Sequence, residues 1–288
     1  MPKVSVIVPN YNHSLYLTWR IDSILNQSYR DFELIILDDC STDSSREVIE
    51  RYRNRTNVRF HPNSRNSGSV FAQWEKGIQL SIGDYIWIAE SDDWAADSFL
   101  EKTVKVLDEC PNVGVVYTQS WLADTQFKVT GDAICWTEDL DFTLWKTDFS
   151  MVGAEFIRRF LLRKNAIPNA SAVVMRRTSL EKALPIEKNF KLCGDWHHWI
   201  RILATTDIAY LSERLNFWRL DSSNARSEAP GVLEWIEGER ILAEGCRLVG
   251  LPESAQDKVL LMFLRQCWQW QRDYIAKQKA ASPSSPSK

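Results

Sequence analysis

Glu90-Ser91-Asp92-Asp93-Trp94 puts three carboxylates on one turn, directly behind the apolar run Tyr85-Ile86-Trp87-Ile88-Ala89. Crowded carboxylates repel one another unless a cation shares the site. Hard cations such as Mg²⁺ and Mn²⁺ take oxygen ligands and commonly bridge one or two carboxylates to substrate phosphates. The turn is therefore a candidate metal–diphosphate site. The plainer alternative is a solvated acidic turn in which Asp92 or Asp93 caps the next helix. Two more polar clusters follow apolar runs in the same way: Pro9-Asn10-Tyr11-Asn12 after 4–8, and Asp38-Asp39 after 32–37.

Chemistry spread over three turns needs elements that bring them together. The apolar runs at 4–8, 32–37, 58–60 and 85–89 read as strands. Between and after them lie helical patterns: Leu17, Ile21, Ile24 and Leu25 in 15–26, then 44–53, 71–80 and 99–110. This alternation implies βαβ units and a mostly parallel sheet flanked by helices. Right-handed crossovers set all three clusters on one rim, beyond the carboxyl ends of the strands, where such sheets bind ligands. Further along, 113–118 and 172–175 read as strands, and 153–163, 194–204 and 230–279 as helical. The weakly periodic stretch 122–149 is expected to be a long excursion over the site. The Ser/Pro/Lys-rich tail 280–288 is expected to be disordered.

Composition narrows the function. A formal net charge of −3 gives no global basic field, so nucleic acid is not an expected partner. The six cysteines are scattered without a C-x-x-C pair, against a zinc site or a disulfide scaffold. No apolar stretch approaches the ~20 residues needed to cross a bilayer, and Met1-Pro2-Lys3 runs straight into the first strand without a signal peptide. A cytoplasmic protein, at most peripheral at the inner face of the cell membrane, is expected. The N-x-S/T matches at Asn12, Asn26, Asn54 and Asn169 then read as chance, and most of the 13 Trp as core.

Five segments stand in a familiar order: Val-Ile-Val-Pro-Asn-Tyr-Asn at 6–12, Leu-Asp-Asp-Cys-Ser-Thr-Asp at 37–43, Arg65-Asn66-Ser67-Gly68, Gly83-Asp84-Tyr85-Ile86, and Glu90-Ser91-Asp92-Asp93. Together they resemble the family 2 inverting glycosyltransferases with a GT-A fold. The resemblance is strong over about 1–115 and thinner to about 228, through Gly194-Asp195-Trp196-His197-His198-Trp199 and Trp218-Arg219-Leu220-Asp221. It implies a Rossmann-like nucleotide-sugar-binding half (1–118), an acceptor-binding half (119–228), a helical carboxyl-terminal extension (229–279) and the tail. It also implies roles. Pro9, Tyr11, Asn12, Asp38, Asp39, Arg65 and Asp92 would bind the nucleotide, a UDP-sugar first among donors. Asp92 and Asp93 would hold Mn²⁺ or Mg²⁺, with Asp93 the direct ligand. Asp195 would be the general base toward a glycan or lipid-linked acceptor. His197, His198, Trp199, Arg219 and Asp221 are candidate acceptor or diphosphate contacts.

Several departures stand out. The family often has an acidic pair where this chain has Gly194-Asp195, commonly has His where Asp221 stands, and usually Asp where Glu90 stands. Two other functions remain open from sequence. A nucleotidyltransferase would want a Gly-rich phosphate loop after the first strand, where this chain has Pro9-Asn10-Tyr11-Asn12. A non-catalytic carbohydrate-binding module would tolerate loss of the carboxylates, yet all are present.

Overall fold

The computed structural model describes residues 1–220 and 231–281, with the backbone alone at 270 and 273–281. The first third alternates β1 (Val4–Asn10), α1 (Ser14–Leu25), β2 (Phe32–Asp38), α2 (Ser45–Glu50), β3 (Val58–Pro62), α3 (Val70–Leu80) and β4 (Tyr85–Ile88). These strands run parallel in the order β3-β2-β1-β4. Every residue of β1 and β2 is buried, because helices cover both faces of the sheet. Val6 and Val8 join Leu17 and Ile21 of α1 on one face, and Ile7 joins Trp74 and Ile78 of α3 on the other. A Cβ on Gly77 would stand 2.3 Å from Ile7 Cγ2, so glycine there is what lets α3 lie against β1.

The chain continues through β5 (Trp94–Ala95), α4 (Phe99–Glu109), β6 (Val113–Ala123), β7 (Val129–Asp132), β8 (Phe149–Met151), α5 (Gly153–Phe156), β9 (Val173–Arg176), α6 (Arg177–Lys182), α7 (Gly194–Leu203) and β10 (Asp207–Arg219). β9 enters antiparallel between β4 and β6, and β10 runs parallel to β6. One ten-stranded sheet thus spans both the amino-terminal and the middle segments. The expected excursion at 122–149 is partly ordered on this sheet: β7 folds back on β6, and β8 pairs with β10. α5 passes into a π turn at Ile157–Leu161.

The helical run expected at 230–279 is two helices, α8 (Gly231–Leu248) and α9 (Glu253–Ala281). Gly250 breaks them with a φ of 67°, and Leu251 N donates to Cys246 O at 2.9 Å, a glycine-centred helix stop. α9 packs through Phe263 and Cys267, while Leu261, Met262, Leu264 and Trp268 are exposed, so its apolar residues are not all core. Among the described residues no helix is long and apolar enough to cross a membrane. The expected tail begins within α9, and its remainder from 282 lies outside the described residues.

One buried side chain of α8, besides its apolar face, joins it to the backbone ahead of α7. Glu237 accepts from Lys191 N at 2.6 Å, Leu192 N at 3.0 Å and Cys193 N at 2.8 Å, the backbone that leads into α7. Replacing it leaves three N–H groups unpaired in a closed site, each costing about 1–3 kcal/mol. Glu237→Ala should lower the thermal midpoint by ~2–4 °C for each kcal/mol lost. An unchanged melting curve would mean that α8 is not anchored here.

Candidate active site

Pairing of Asn10 with Asp38, and of Ile7 with Ile88, ends β1, β2 and β4 near one level. The three polar clusters expected from sequence therefore meet on one rim. Asp38 is fully buried and accepts from Arg46 Nε (2.9 Å), Asn10 Nδ2 (3.1 Å) and Ser41 N (3.2 Å). Asn12, at a φ of 56°, accepts from Thr42 N at 2.8 Å and ties the first turn to the second. Asp39 organises the loop before α3, accepting from Ser67 Oγ (2.7 Å), Ser67 N (2.9 Å), Asn63 Nδ2 (2.6 Å) and Gln73 Nε2 (3.0 Å). Beside it lies a cavity of about 360 Å³ lined by Tyr11, Asp39, Asn66, Gly68, Val70 and Lys191. The Tyr11 ring is exposed, Pro9 is buried within β1, and Arg65 stands exposed on the same loop as Asn66.

The acid turn is a charge network. Asp92 pairs with Arg219, whose Nη2 donates to Oδ2 at 2.9 Å and whose Nε donates to the Asp92 carbonyl at 3.1 Å. The Arg219 guanidinium lies 3.6 Å from the Tyr16 ring centre. Asp93 faces inward, 2% exposed, and accepts from Asn169 Nδ2 and from Arg219 N, both at 2.9 Å. Burial, then the Asp92 charge, pushes its carboxyl up to about 6. The same two causes push Glu90 up to about 8, although the Trp74 indole donates to it at 2.7 Å. Behind the turn, Arg20 is fully buried over the Trp87 ring, donates Nε to the Glu90 carbonyl at 2.8 Å, and leaves Nη1 and Nη2 without partners. Burial lowers Arg20 to about 10, opposed by the charges of Asp93, Asp92 and Glu90.

Among the described residues no three His, Cys, Asp or Glu side chains form a ready metal cage. Asp92 and Asp93 still supply carboxylate oxygens of the right hardness, and Asp92 is the more open of the two. That donor set fits a divalent ion completed by phosphate oxygens and water.

Asp195 begins α7, where its Oδ1 accepts from Trp196 N at 2.7 Å and its Oδ2 from Asn165 Nδ2 at 3.1 Å. It lines a cavity of about 420 Å³ with Trp136, Arg163, Lys164, Trp196 and Glu234. A Cβ at position 194 would sit 2.5 Å from the Phe71 ring, which explains why a single carboxylate stands where the family often has two. The helix behind Asp195 corrects the sequence expectation. His197, His198 and Trp199, expected as acceptor or diphosphate contacts, are instead buried in α7, with His197 edging a separate cavity beside Arg201 and Glu244. His197 Nε2 meets Glu244 at 2.8 Å, while His198 packs against Trp74 and Trp199. Asp221 lies outside the described residues.

Sequence reasoning missed Arg20, Asn165 and Asn169. A charge at position 20, on the apolar stripe of Leu17, Ile21 and Ile24, was the available signal for the first. The two asparagines sit in an irregular segment that carries no periodic signal.

A mixed sheet of this order, with an acidic turn behind β4 and a carboxylate at the start of α7, defines a GT-A glycosyltransferase domain. Residues 5–183 match the model of glycosyl transferase family 2, and the chain belongs to that family. It is 32% identical over 111 residues to the poly(ribitol-phosphate) beta-N-acetylglucosaminyltransferase TarS of Staphylococcus aureus, over 38% of this chain and 19% of that protein. It is 38% identical over 111 residues to the putative teichuronic acid biosynthesis glycosyltransferase TuaG of Bacillus subtilis, over 38% of this chain and 43% of that protein. S. aureus TarS 1–349 in complex with UDP-GlcNAc superposes with a TM-score of 0.71 at 21% identity, over 91% of this chain and 71% of that one. The mannosyltransferase PcManGT of Pyrobaculum calidifontis, in complex with GDP-Man and Mn²⁺, gives 0.64 at 16% identity, over 99% and 77%.

One buried group gives this site a measurable acid sensitivity. Burial pushes the His198 imidazole down from 6.5 to about 3, so the fold keeps it neutral while the unfolded chain protonates it. Stability linked to it is complete above about pH 6.5 and is lost as pH falls toward 3, at up to ~1.4 kcal/mol per pH unit. His198→Phe should flatten that slope. Urea midpoints taken between about pH 6.5 and pH 4 should fall less in the variant than in the wild type; parallel declines would show that the ring titrates as it does in water.

Proposed function

We propose that this protein transfers one sugar from a nucleoside-diphosphate sugar to an acceptor hydroxyl, with inversion at the anomeric carbon. The observation that carries this reading is that a cavity beside Asp39 and the acid turn both follow the carboxyl ends of one parallel strand set, with Asp195 bonded to the segment that also reaches Asp93. Tyr11 offers a ring for the base to stack on, with Asp39 and its loop forming the wall. Asp92 and Asp93 would hold Mn²⁺ or Mg²⁺, which would supply positive charge to the departing diphosphate. Arg219 keeps the Asp92 carboxylate oriented. Asp195 takes the proton from the acceptor hydroxyl as it attacks. Its carboxylate is held by two donors and opens on a cavity large enough for a sugar.

UDP-GlcNAc is the first donor to test, because a structural neighbour binds it. Relatives named for poly(ribitol-phosphate) and teichuronic acid support a cell-surface polysaccharide or lipid-linked acceptor. We divide the chain at about 118 and 228 into donor-side, acceptor-side and carboxyl-terminal helical parts, the donor-side and acceptor-side strands sharing one sheet.

A donor panel read by release of nucleoside diphosphate should give metal-dependent turnover with a UDP-sugar. The product should carry the anomeric configuration opposite to the donor's; retention would overturn the single-displacement mechanism. Asp195→Asn should lower turnover by roughly 10²–10⁴-fold while UDP affinity, read by calorimetry, stays near normal. Asp93→Asn should abolish the gain in UDP affinity that Mn²⁺ confers. Equal UDP affinity in EDTA and in Mn²⁺ would remove the metal from the assignment.

A further inference from the structure

Asn165 and Asn169 stand four residues apart in the segment before β9, and each reaches a different functional carboxylate. Asn165 Nδ2 donates to Asp195 Oδ2 at 3.1 Å, and Asn169 Nδ2 donates to Asp93 Oδ2 at 2.9 Å. Both side chains are almost closed to solvent, 8% exposed each. The backbone between them is fixed from several sides. Asn165 Oδ1 accepts from Ile167 N at 3.2 Å, and its carbonyl accepts from the Trp136 indole at 2.7 Å. Ala166 and Ile167 are fully buried, and Pro168 locks its own φ. Asn169 Oδ1 accepts from Asn216 Nδ2 of β10 at 3.2 Å. Two residues on, Ser171 accepts from Glu90 N at 3.0 Å through its hydroxyl and from the Trp87 indole at 2.8 Å through its carbonyl.

A short, internally bonded segment therefore has one end on the acid turn and the other on Asp195. We propose that Asn165 and Asn169 are positioning residues that act as one strap, fixing Asp195 relative to the carboxylates on the leaving-group side. This rests on the reading of Asp195 as the base. Attack and departure occur on opposite sides of one carbon in an inverting transfer, so the spacing of the two carboxylate groups sets how well both ends align. A misplacement of about 1 Å can cost ~10²-fold in rate. The asparagine side chains suit this role because each donates to a carboxylate while its own carbonyl oxygen is held elsewhere.

Asn165→Asp keeps the size of the side chain and the acceptor for Ile167 N but replaces the donor to Asp195 with a second carboxylate, which repels Asp195 or shares a proton with it. It should lower kcat about tenfold, the scale of one hydrogen bond to a charged group. Calorimetric UDP affinity should stay at its wild-type value, and in an Asp195→Asn background the variant should have no further effect. Asn169→Ala should also lower kcat, and the double variant should be no slower than about the slower single variant, because the two act as a unit. Effects that multiply would overturn the strap and leave two local bonds. So would wild-type kcat in Asn165→Asp, or UDP affinity falling as far as kcat. Failure of the base assignment looks different: Asp195→Asn itself would then turn over at the wild-type rate.

Discussion

Everything in the site depends on β1 being paired on both sides by parallel strands. Parallel partners start and stop at matching levels, so the turns that follow them face the same way. Neither β1 nor its neighbours could do this with a solvated face. Both faces are sealed by helices, and the price is a sequence of mostly apolar residues, in which the buried polar groups Ser5, Glu33, Asn10 and Asp38 are paired with one another or with neighbouring polar groups. Polar function is displaced to the residues immediately after each strand, and those residues form the rim.

Burial that makes the rim rigid also concentrates charge. Among the described residues, Glu90, Asp92 and Asp93 share a turn with two guanidiniums, Arg219 in front and Arg20 behind. The raised carboxyls of Glu90 and Asp93 show that these cations do not fully offset burial and mutual repulsion. Arg20 differs from Arg219 in having two nitrogens without partners, so beyond its Nε bond to the Glu90 carbonyl it acts on the carboxylates by long-range attraction.

Legibility in the sequence followed the regularity of the elements. β1, β2 and β4 were readable because two buried faces leave an unbroken apolar run, and α1, α3, α4 and α7 because their buried residues recur at helical spacing. β10 was not readable as a strand. Its pairing with β6 slips at three places, between Asp207 and Ile208 and on either side of Arg214, so the alternation of inside and outside residues is broken. The acid turn stood out by residue type and Asp195 through the family resemblance, whereas Asn165 and Asn169 have no pattern and acquire meaning only from what they touch. His197 and His198 show the converse: residue types that suggest chemistry, placed where packing and a carboxylate from α8 occupy them.

The anchoring of α8 by Glu237 bears on the order in which the molecule matures during synthesis. The backbone at 191–193 that leads into α7 has its acceptor more than forty residues downstream, on a helix that must be translated before it can dock. A nascent chain can complete β1 through β4 early, since those pairings are contained within the first ninety residues. The segment carrying Asp195 must wait for α8 to clear the ribosome. The pairing of β1 to β4 can therefore precede the fixing of 191–193, the segment that also brings Lys191 to the cavity beside Asp39.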